Sequence, residues 1–265
     1  MQRVVLVTGA SSGIGRHIAR ELVKAGYRVY GTSRKPQADQ VDGYTMVPLD
    51  VTSDDSVAAC VAEVTQRAGQ IDVLVNNAGV ELLGALEETS IEEAKALFET
   101  NFFGVMRMTN AVLPAMRERR DGLIINIGSL AGYVSSPFHG VYAASKHALE
   151  GYSEALWMET EPFHVRVALI EPSFFKSALV QHKSHPARSI ADYEATKQVV
   201  IKAWDDAVEN GPDPAPIAKT VLKVIQGEAK GFRHRVGKNT FLARFKMIAP
   251  EWLVRKQVRH NFNLD

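Results

Sequence analysis

Short runs of consecutive apolar residues recur along the chain, separated by longer stretches in which the apolar residues have helical spacing. A continuous apolar run of about four to eight residues is typical of a strand buried on both faces of a parallel sheet. The pattern predicts strands at residues 4–7, 27–32, 45–49, 71–75, 123–127, 165–170 and 232–236.

The stretches between these strands predict helices, because their apolar residues lie three or four positions apart. The helices are expected at residues 13–25, 53–68, 91–120 (as one helix or two), 139–161 and 217–226. Strands that alternate with helices indicate an α/β fold built on a parallel sheet. The pattern loosens at about 178–216, where a long connection after a strand is a typical place for a substrate-selecting loop.

A glycine-rich turn joins the first predicted strand to the first predicted helix. Glycines permit close approach of a diphosphate, and the helix N-terminus offers free N–H groups and a positive dipole end. A flexible turn is the alternative, but the strand–turn–helix context favours a dinucleotide site. The candidate contacts in this turn are Gly9, Ser11, Ser12, Gly13, Ile14 and Gly15.

The end of the second predicted strand bears on the choice of cofactor. An NAD-preferring site places an acidic residue there to bind the ribose hydroxyls. This chain has Ser33 at that position, followed by Arg34 and Lys35. Arg34 could hold a 2′-phosphate with charge-assisted hydrogen bonds. We therefore expect NADP(H) rather than NAD(H), although the two basic residues could also form a solvated turn.

Two further strand ends carry candidate cofactor contacts. Asp50 could bond an adenine amine while Val51 packs on the ring, or Asp50 could instead cap the following helix, as could Thr52 or Ser53. The next predicted strand closes with Asn76, Asn77, Ala78 and Gly79. Small residues there would let the chain pass close under a cofactor, but an Asn-Gly-type turn is a strong alternative.

Asn101 and Ser129 are unusual for their positions. Asn101 falls inside a predicted helix, where asparagine is a poor helix former, so we expect a functional kink, a polar contact or a solvent-facing side chain. Ser129 follows the fifth predicted strand. Ligands bind beyond the carboxyl ends of strands in open α/β sheets, which places Ser129 at the expected site, although most Gly-Ser steps are simple turns.

Tyr142 and Lys146 are four residues apart on a predicted helix, so both side chains should lie on one face. A phenol has an ordinary pKa near ~10, and a neighbouring ammonium would favour its anion and make it usable for acid–base chemistry. Alone, this spacing is more typical of an ordinary buried tyrosine near a surface lysine.

Composition narrows the function classes. The chain has 265 residues, 46% of them apolar, and a net charge of +1, which gives no reason to expect a nucleic-acid or anionic-membrane partner. A single cysteine, Cys60, excludes an internal disulfide, and no histidine spacing indicates a metal site. With no signal peptide and no apolar run of about 18 residues, a cytoplasmic protein without a transmembrane segment is expected.

Taken in this order, the motifs T-G-x-x-x-G-x-G, N-N-A-G and S…Y-x-x-x-K resemble those of the short-chain dehydrogenase/reductase family. The resemblance covers essentially the whole chain. It implies a single doubly wound Rossmann-type domain over residues 1–265, with seven parallel strands in the order 3-2-1-4-5-6-7. It also implies a homodimer or homotetramer, packed through the helices with residues 101–120 and 142–161.

The resemblance further implies the roles of individual residues. Asn101, Ser129, Tyr142 and Lys146 correspond to the catalytic tetrad. Tyr142 would exchange the proton, Lys146 would lower the phenol's pKa and bind the nicotinamide ribose, and Ser129 would hydrogen-bond the reacting oxygen. Asn101 would hold a water. The remaining cofactor contacts implied are the glycine turn, Asp50, Asn77, Pro172 and a hydroxyl at Ser177.

One position departs from the family pattern. The family usually has Pro-Gly after the sixth strand and then a Thr, whereas this chain has Pro172-Ser173, with Ser177 at the Thr position. A hydroxyl is retained at Ser177, but the sequence does not determine the path of the 173–177 loop. The end of the second strand and the basic, apolar tail at about 238–265 are similar to the retinol- and hydroxysteroid-dehydrogenase-like branch.

Apolar residues flank the motifs and favour a lipophilic substrate such as a steroid, a retinoid or a medium-chain carbonyl. They are Leu82, Leu83, Phe138, Leu179 and Val180. A regulatory protein that senses NADP(H) without turnover is the alternative function. The tail could contact a membrane surface, cover an apolar pocket, or form a docked helix or dimer contact.

Overall fold

The computed structural model describes residues 2–176 and 183–264, apart from the side chains of residues 242 and 244. Its strands are β1 Val4–Val7, β2 Arg28–Ser33, β3 Gln40–Val41, β4 Tyr44–Pro48, β5 Val73–Asn76, β6 Glu81–Leu82, β7 Gly122–Ile127, β8 Val165–Pro172, β9 Lys183–Ser184 and β10 Arg233–Val236. Its α-helices are α1 Gly13–Lys24, α2 Asp54–Ala68, α3 Ile91–Phe98, α4 Gly104–Arg119, α5 Gly140–Thr160, α6 Ala191–Glu209, α7 Ala215–Gln226, α8 Phe241–Ile248 and α9 Glu251–Asn261.

The main sheet confirms the α/β Rossmann-type fold and its strand order. Across the described residues the order is β10-β8-β7-β5-β1-β2-β4-β3, and every neighbouring pair except β3 with β4 is parallel. The seven parallel strands match the expected order 3-2-1-4-5-6-7, and β3 adds an antiparallel edge strand that the sequence pattern did not predict. It is joined to β4 through Asp42 and Gly43, both with positive φ, as a tight hairpin turn requires.

The core lies on both faces of this sheet, because successive side chains of a strand point to opposite faces. In β1, Val5 and Val7 pack in one cluster with α1 and α7, while Val4 and Leu6 pack in the other with α2 and α4. All four side chains are buried. Burial on both faces explains why the strands read as unbroken apolar runs.

The long helical region at 91–120 is interrupted at the predicted misfit. Between α3 and α4 the chain forms a π-helical turn at Glu99–Phe103, and Asn101 within it is buried. π-Helical turns inside α-helices are frequent at functional sites. Gly104 begins α4 directly against Val51, whose Cγ2 would lie 2.8 Å from an added Cβ.

The region expected as a substrate loop is partly helical, since α6 occupies residues 191–209. Its Trp204 and Val208 are buried with Leu83 and with Phe262, which follows α9. The tail therefore covers an apolar region with one side, while Trp252, Met247 and Ile248 remain exposed. No helix among the described residues is long and apolar enough to cross a bilayer.

Candidate active site

The glycine turn adopts a conformation that needs glycine. Gly9 and Gly13 have φ values of +66° and +51°, in the region that side chains with a Cβ rarely occupy. A Cβ at Gly15 would lie 2.3 Å from the carbonyl oxygen of Gly9 and 2.5 Å from Nδ2 of Asn77. The turn therefore closes on itself and on the end of β5.

Asn77 and Thr8 bind this turn to the neighbouring strand end. Asn77 Nδ2 donates to the carbonyl oxygens of Thr8 and Gly9, at 2.9 and 3.1 Å. The hydroxyl of Thr8 accepts from the backbone N–H groups of Asn77 and Ala78, both at 2.9 Å. The tetrapeptide at 76–79 is thus more than a turn, because its amide groups fix the shape of the glycine turn.

The turn and the first helix fit a dinucleotide diphosphate. Ser12 is the N-cap of α1, but its side chain makes no capping hydrogen bond, and the first turn of α1 carries no acidic residue. The N–H groups and the positive dipole end therefore face an adjoining cleft of about 1400 Å³.

The cleft brings most of the predicted residues together. Among the described residues, all predicted catalytic and cofactor contacts line it except Gly15, which lies beneath the turn, and Asn101. Those that line it are Gly9, Ser11, Ser12, Gly13, Ile14, Arg34, Asp50, Val51, Asn77, Ala78, Gly79, Ser129, Tyr142, Lys146 and Pro172. Ser177 lies outside the described residues, as do Leu179 and Val180.

The far end of the cleft holds the predicted residues at the end of β2. Arg34 is exposed there, and the Ser33 hydroxyl is buried without a hydrogen-bond partner among the described residues. Asp50 does not cap α2, since Ser53 does so by accepting from the backbone N–H of Ser56. Asp50 instead accepts from the backbone N–H and hydroxyl of Thr52, which hold its pKa below the ordinary value.

Tyr142, Ser129 and Lys146 meet where β7 ends against α5. The Ser129 hydroxyl accepts from the backbone N–H of Ala131 at 3.1 Å and lies near enough to the phenol of Tyr142 to lower its pKa. The ammonium of Lys146 donates to the carbonyl oxygen of Ile127 at 3.0 Å and lies 5.7 Å from the centre of the Tyr142 ring. All three side chains line the cleft, with Tyr142 and Lys146 buried.

The charges at this site differ from the expectation. Burial raises the pKa of Tyr142 and the charge of Glu81 adds to the rise, while the hydrogen bond from Ser129 lowers it. Lys146 is not among these causes, so the lowering of the Tyr142 pKa by Lys146 stays a prediction. Burial lowers the pKa of Lys146 itself to about 8, against the opposing charges of Glu81 and Glu150.

Asn101 is not solvent-facing. Its Oδ1 accepts from the backbone N–H of Val80 at 2.8 Å, and its Nδ2 donates to the Val80 carbonyl at 3.0 Å and to Ser145 Oγ at 3.3 Å. The Ser145 hydroxyl donates in turn to the carbonyl oxygen of Tyr142 at 2.7 Å. Asn101 thus joins Val80, which precedes β6, to helix α5. Its water-holding role stays a prediction.

The structure adds cleft residues that sequence reasoning missed. The imidazole of His139 stacks on the Tyr142 ring, with centroids 4.4 Å apart and planes 2° apart. Its Nε2 lies 2.9 Å from Oε1 of Glu81, and Trp204 packs edge-on at 6.1 Å. The only local signal was that His139 precedes Tyr142 by one helical turn.

The buried glutamate Glu150 packs against the turn that follows Ser129. Glu150 lies one turn beyond Lys146, and its Cγ would be 2.9 Å from a Cβ added at Gly132. Its carboxylate pairs with Arg233 of β10, which also contacts Glu171 at 3.3 Å. Burial and the charge of Glu171 together raise the pKa of Glu150.

The departure at Ser173 has a structural context. The backbone N–H of Ser173 donates to the carbonyl oxygen of Val236 at 2.9 Å, so the chain still follows β10 after Pro172. The Ser173 hydroxyl is buried without a hydrogen-bond partner in the described part of the chain, and it would lie 2.3 Å from a Cβ added at Gly237. Ser173 is accommodated in place of the usual glycine because Gly237, in the segment that follows β10, lies opposite it.

Known proteins resemble this chain over nearly its full length. A family model described as short chain dehydrogenase matches residues 3–188. The 3-ketodihydrosphingosine reductase of Bacteroides thetaiotaomicron is 38% identical over 261 residues, which cover 97% of each chain. Retinol dehydrogenase 8 of Bos taurus is 34% identical over 97% of this chain and 89% of its own.

Solved structures agree with this similarity. A short-chain dehydrogenase from Streptomyces avermitilis superposes with a TM-score of 0.83, at 35% identity, over 98% of this chain and 96% of its own. A metagenomic short-chain oxidoreductase in complex with NADP gives a TM-score of 0.69, at 29% identity, over 88% of this chain and 95% of its own.

Proposed function

Because this chain belongs to the short-chain dehydrogenase/reductase family, as a retinol-dehydrogenase-like oxidoreductase of alcohol and carbonyl groups, we propose that it transfers hydride between NADP(H) and a lipophilic carbonyl compound or secondary alcohol, such as a steroid, a retinoid or a medium-chain ketone or aldehyde. The observation that carries the proposal is the meeting of Ser129, Tyr142 and Lys146 in the cleft that begins at the glycine turn.

The choice of NADP(H) is supported by the far end of the cleft. Ser33 and Arg34 provide a hydroxyl and a guanidinium where an NAD-preferring site has a carboxylate. A guanidinium binds phosphate oxygens with two parallel hydrogen bonds. The solved relative that binds NADP is consistent with this choice.

The nicotinamide supplies or accepts the hydride when the cofactor is bound. In reduction, Tyr142 donates its phenolic proton to the substrate oxygen, and Ser129 donates a hydrogen bond to that oxygen as negative charge develops on it. Lys146 is held in place by the Ile127 carbonyl. Its ammonium offsets the charge left on the phenolate, which is worth more in a buried site than in water.

A lipophilic substrate is supported by the cleft wall and by the relatives. The wall beyond Tyr142 includes Trp204, Val208, Val258 and Phe262. The two curated relatives are named for 3-ketodihydrosphingosine and for retinol, both of which are lipids.

The decisive test is a panel of aldehydes, ketones and alcohols with NADPH and NADP, run on the wild-type protein and on Tyr142→Phe. The variant keeps the ring and should still bind NADPH, but its turnover should fall by about 10²- to 10⁴-fold because the acid–base group is lost. A variant that reduces ketones at the wild-type rate would overturn the role of Tyr142. A wild-type protein that binds NADPH and consumes none would favour the alternative, a regulatory sensor of NADP(H).

The proposal includes a cytoplasmic homodimer or homotetramer that packs through α4 and α5. Support comes from three apolar side chains left exposed on or next to these helices, namely Phe103, Trp157 and Met158. Light scattering on the purified protein tests the assembly. A monomer at micromolar concentration would remove this part of the proposal.

A further inference from the structure

Glu81 is a buried carboxylate within the catalytic cleft. It lies in β6, is 2% exposed and lines the cleft beside His139 and Tyr142. Its Oε1 is 2.9 Å from His139 Nε2, but its Oε2 has no hydrogen-bond partner among the described residues. A carboxylate oxygen removed from water without a partner is costly, so its position requires an explanation.

The carboxylate lies close to the reacting group. The His139 ring, which contacts Glu81 through Nε2, is stacked 4.4 Å from the Tyr142 ring. After burial, the charge of Glu81 is the main cause that raises the pKa of Tyr142. A substrate oxygen bonded to Tyr142 therefore brings the adjoining carbons of the substrate near Glu81.

The neighbouring cations are engaged elsewhere. Lys183 pairs with Glu81 in the β6–β9 ladder, but its ammonium binds Asp205 and lies over the Trp204 ring. Lys146 donates to the Ile127 carbonyl. Within the described ranges neither lysine forms an ion pair with Glu81, so its carboxylate lines the cleft without a lysine partner there.

We propose that Glu81 binds an ammonium group on the carbon next to the substrate carbonyl, so that the preferred substrates are long-chain α-amino ketones and the corresponding amino alcohols. This rests on the proposed reductase function. An amine on the adjacent carbon lies about 2.5 Å from the carbonyl carbon, as it does in a peptide backbone. The amine is unchanged in the reaction, in which the carbonyl gains a hydride at carbon and a proton at oxygen.

Charge and shape both favour this class. An ammonium would give Oε2 a charge-assisted hydrogen bond and would offset the charge that opposes formation of the Tyr142 phenolate. A neutral ketone would leave Oε2 of Glu81 without a partner and would leave the charge of Glu81 opposing the Tyr142 phenolate. Beyond Glu81 the apolar wall of Trp204, Val208 and Phe262 suits an alkyl chain.

The kinetic test compares three ketones of equal chain length: 2-aminododecan-3-one, its N-acetyl derivative and dodecan-3-one. For the wild-type protein with NADPH, the amine should have a kcat/KM about tenfold to a hundredfold above the other two, the range of a charged hydrogen bond. In Glu81→Gln this preference should fall to within about threefold, because the amide carries no charge.

Matched controls separate recognition from structure. Glu88→Gln removes another buried carboxylate, one that pairs with Lys197 at 2.8 Å and does not line the cleft. It should lower thermal stability and leave the amine preference unchanged. If Glu81 only anchors His139, Glu81→Gln will reduce kcat/KM for all three ketones by the same factor, which overturns the proposal. A wild-type protein with no amine preference overturns it as well.

A binding experiment keeps the inference independent of turnover. Tyr142→Phe, saturated with NADP, is titrated calorimetrically with 2-aminododecan-3-ol and with its N-acetyl derivative, below their critical micelle concentrations. The amine should bind about tenfold more tightly, and adding Glu81→Gln should abolish the difference. Failure of all ketones to react, with this difference intact, would refute the reductase function alone. Equal affinities would refute the role of Glu81.

Discussion

Gly15→Ala is the sharpest test of how the glycine turn holds a dinucleotide. The added Cβ would lie 2.3 Å from the carbonyl oxygen of Gly9, 2.5 Å from Asn77 Nδ2 and 2.9 Å from the carbonyl carbon of Gly9. Ordinary contacts between carbon atoms are about 3.5–4.0 Å. Two of these atoms are backbone, so the turn itself has to move, by an amount on the order of 1 Å.

The expected cost follows from overpacking. Forcing an extra methyl group into a closed site costs about 1–3 kcal/mol. Where the cost falls on the conformation that binds the diphosphate, it corresponds to roughly a 5- to 150-fold rise in the NADPH Kd. Any part that falls on the free protein lowers the Tm instead, by about 2–4 °C per kcal/mol in a domain of this size.

Both quantities are measurable on one sample, by NADPH fluorescence titration and by thermal unfolding without added cofactor. Gly151→Ala is the matched control, because a Cβ at this α5 position meets nothing within 4 Å. It should leave the NADPH Kd unchanged and raise stability by up to about 1 kcal/mol through helix propensity. If Gly15→Ala binds NADPH within twofold of wild type, with an undiminished Tm, the reasoning from Cβ contacts is wrong.

Three other outcomes follow from the site. Arg34→Gln should weaken NADPH about tenfold to a hundredfold and leave NADH unchanged; equal losses in Kd for both cofactors would show that Arg34 does not read the 2′-phosphate. Asn101→Ala removes both bonds to the Val80 backbone and should lower the urea-derived free energy of unfolding by about 2–4 kcal/mol, whereas the exposed Asn110→Ala should change it by less than about 0.5 kcal/mol. Burial lowers the pKa of Lys146 to about 8 from an ordinary 10.5. At a pH between these two values, Lys146 is protonated in the unfolded chain and deprotonated in the folded protein, so this residue makes the free energy of unfolding rise with pH. Lys146→Met should therefore show a smaller increase in Tm from pH 8 to 9.5 than wild type does, and identical increases would argue against the lowered pKa.

Most of the framework could be predicted because it depends on local pattern. Strands buried on both faces are unbroken apolar runs, and the glycine turn is readable because its backbone tolerates no Cβ. The edge strand Gln40–Val41 was missed, since two residues carry too little periodicity to recognise. The helix Ala191–Glu209 was missed because its surface charges and scattered aromatic residues obscured its buried face.

The site divides in the same way. Tyr142 and Lys146 share one helix, so their proximity follows from their spacing. Glu81 and His139 lie in separate elements, and nothing local marks either of them as a cleft residue. The pairing of Asn101 with Val80 also joins separate elements, although the misfit of an asparagine within a helix pointed to that position.

By itself the sequence determined the positions of the seven parallel strands along the chain, the need for glycine at the turn and the presence of a tyrosine and a lysine on one helical face. Periodicity and backbone sterics act over a few residues, so both can be recognised in the amino-acid sequence. Only the tertiary structure decided the electrostatics of the site. It sets how far burial shifts the pKa values of Tyr142 and Lys146, and it places Glu81 in the same cleft. Desolvation and Coulomb interactions depend on distances between residues far apart in sequence, which exist only once the chain has folded.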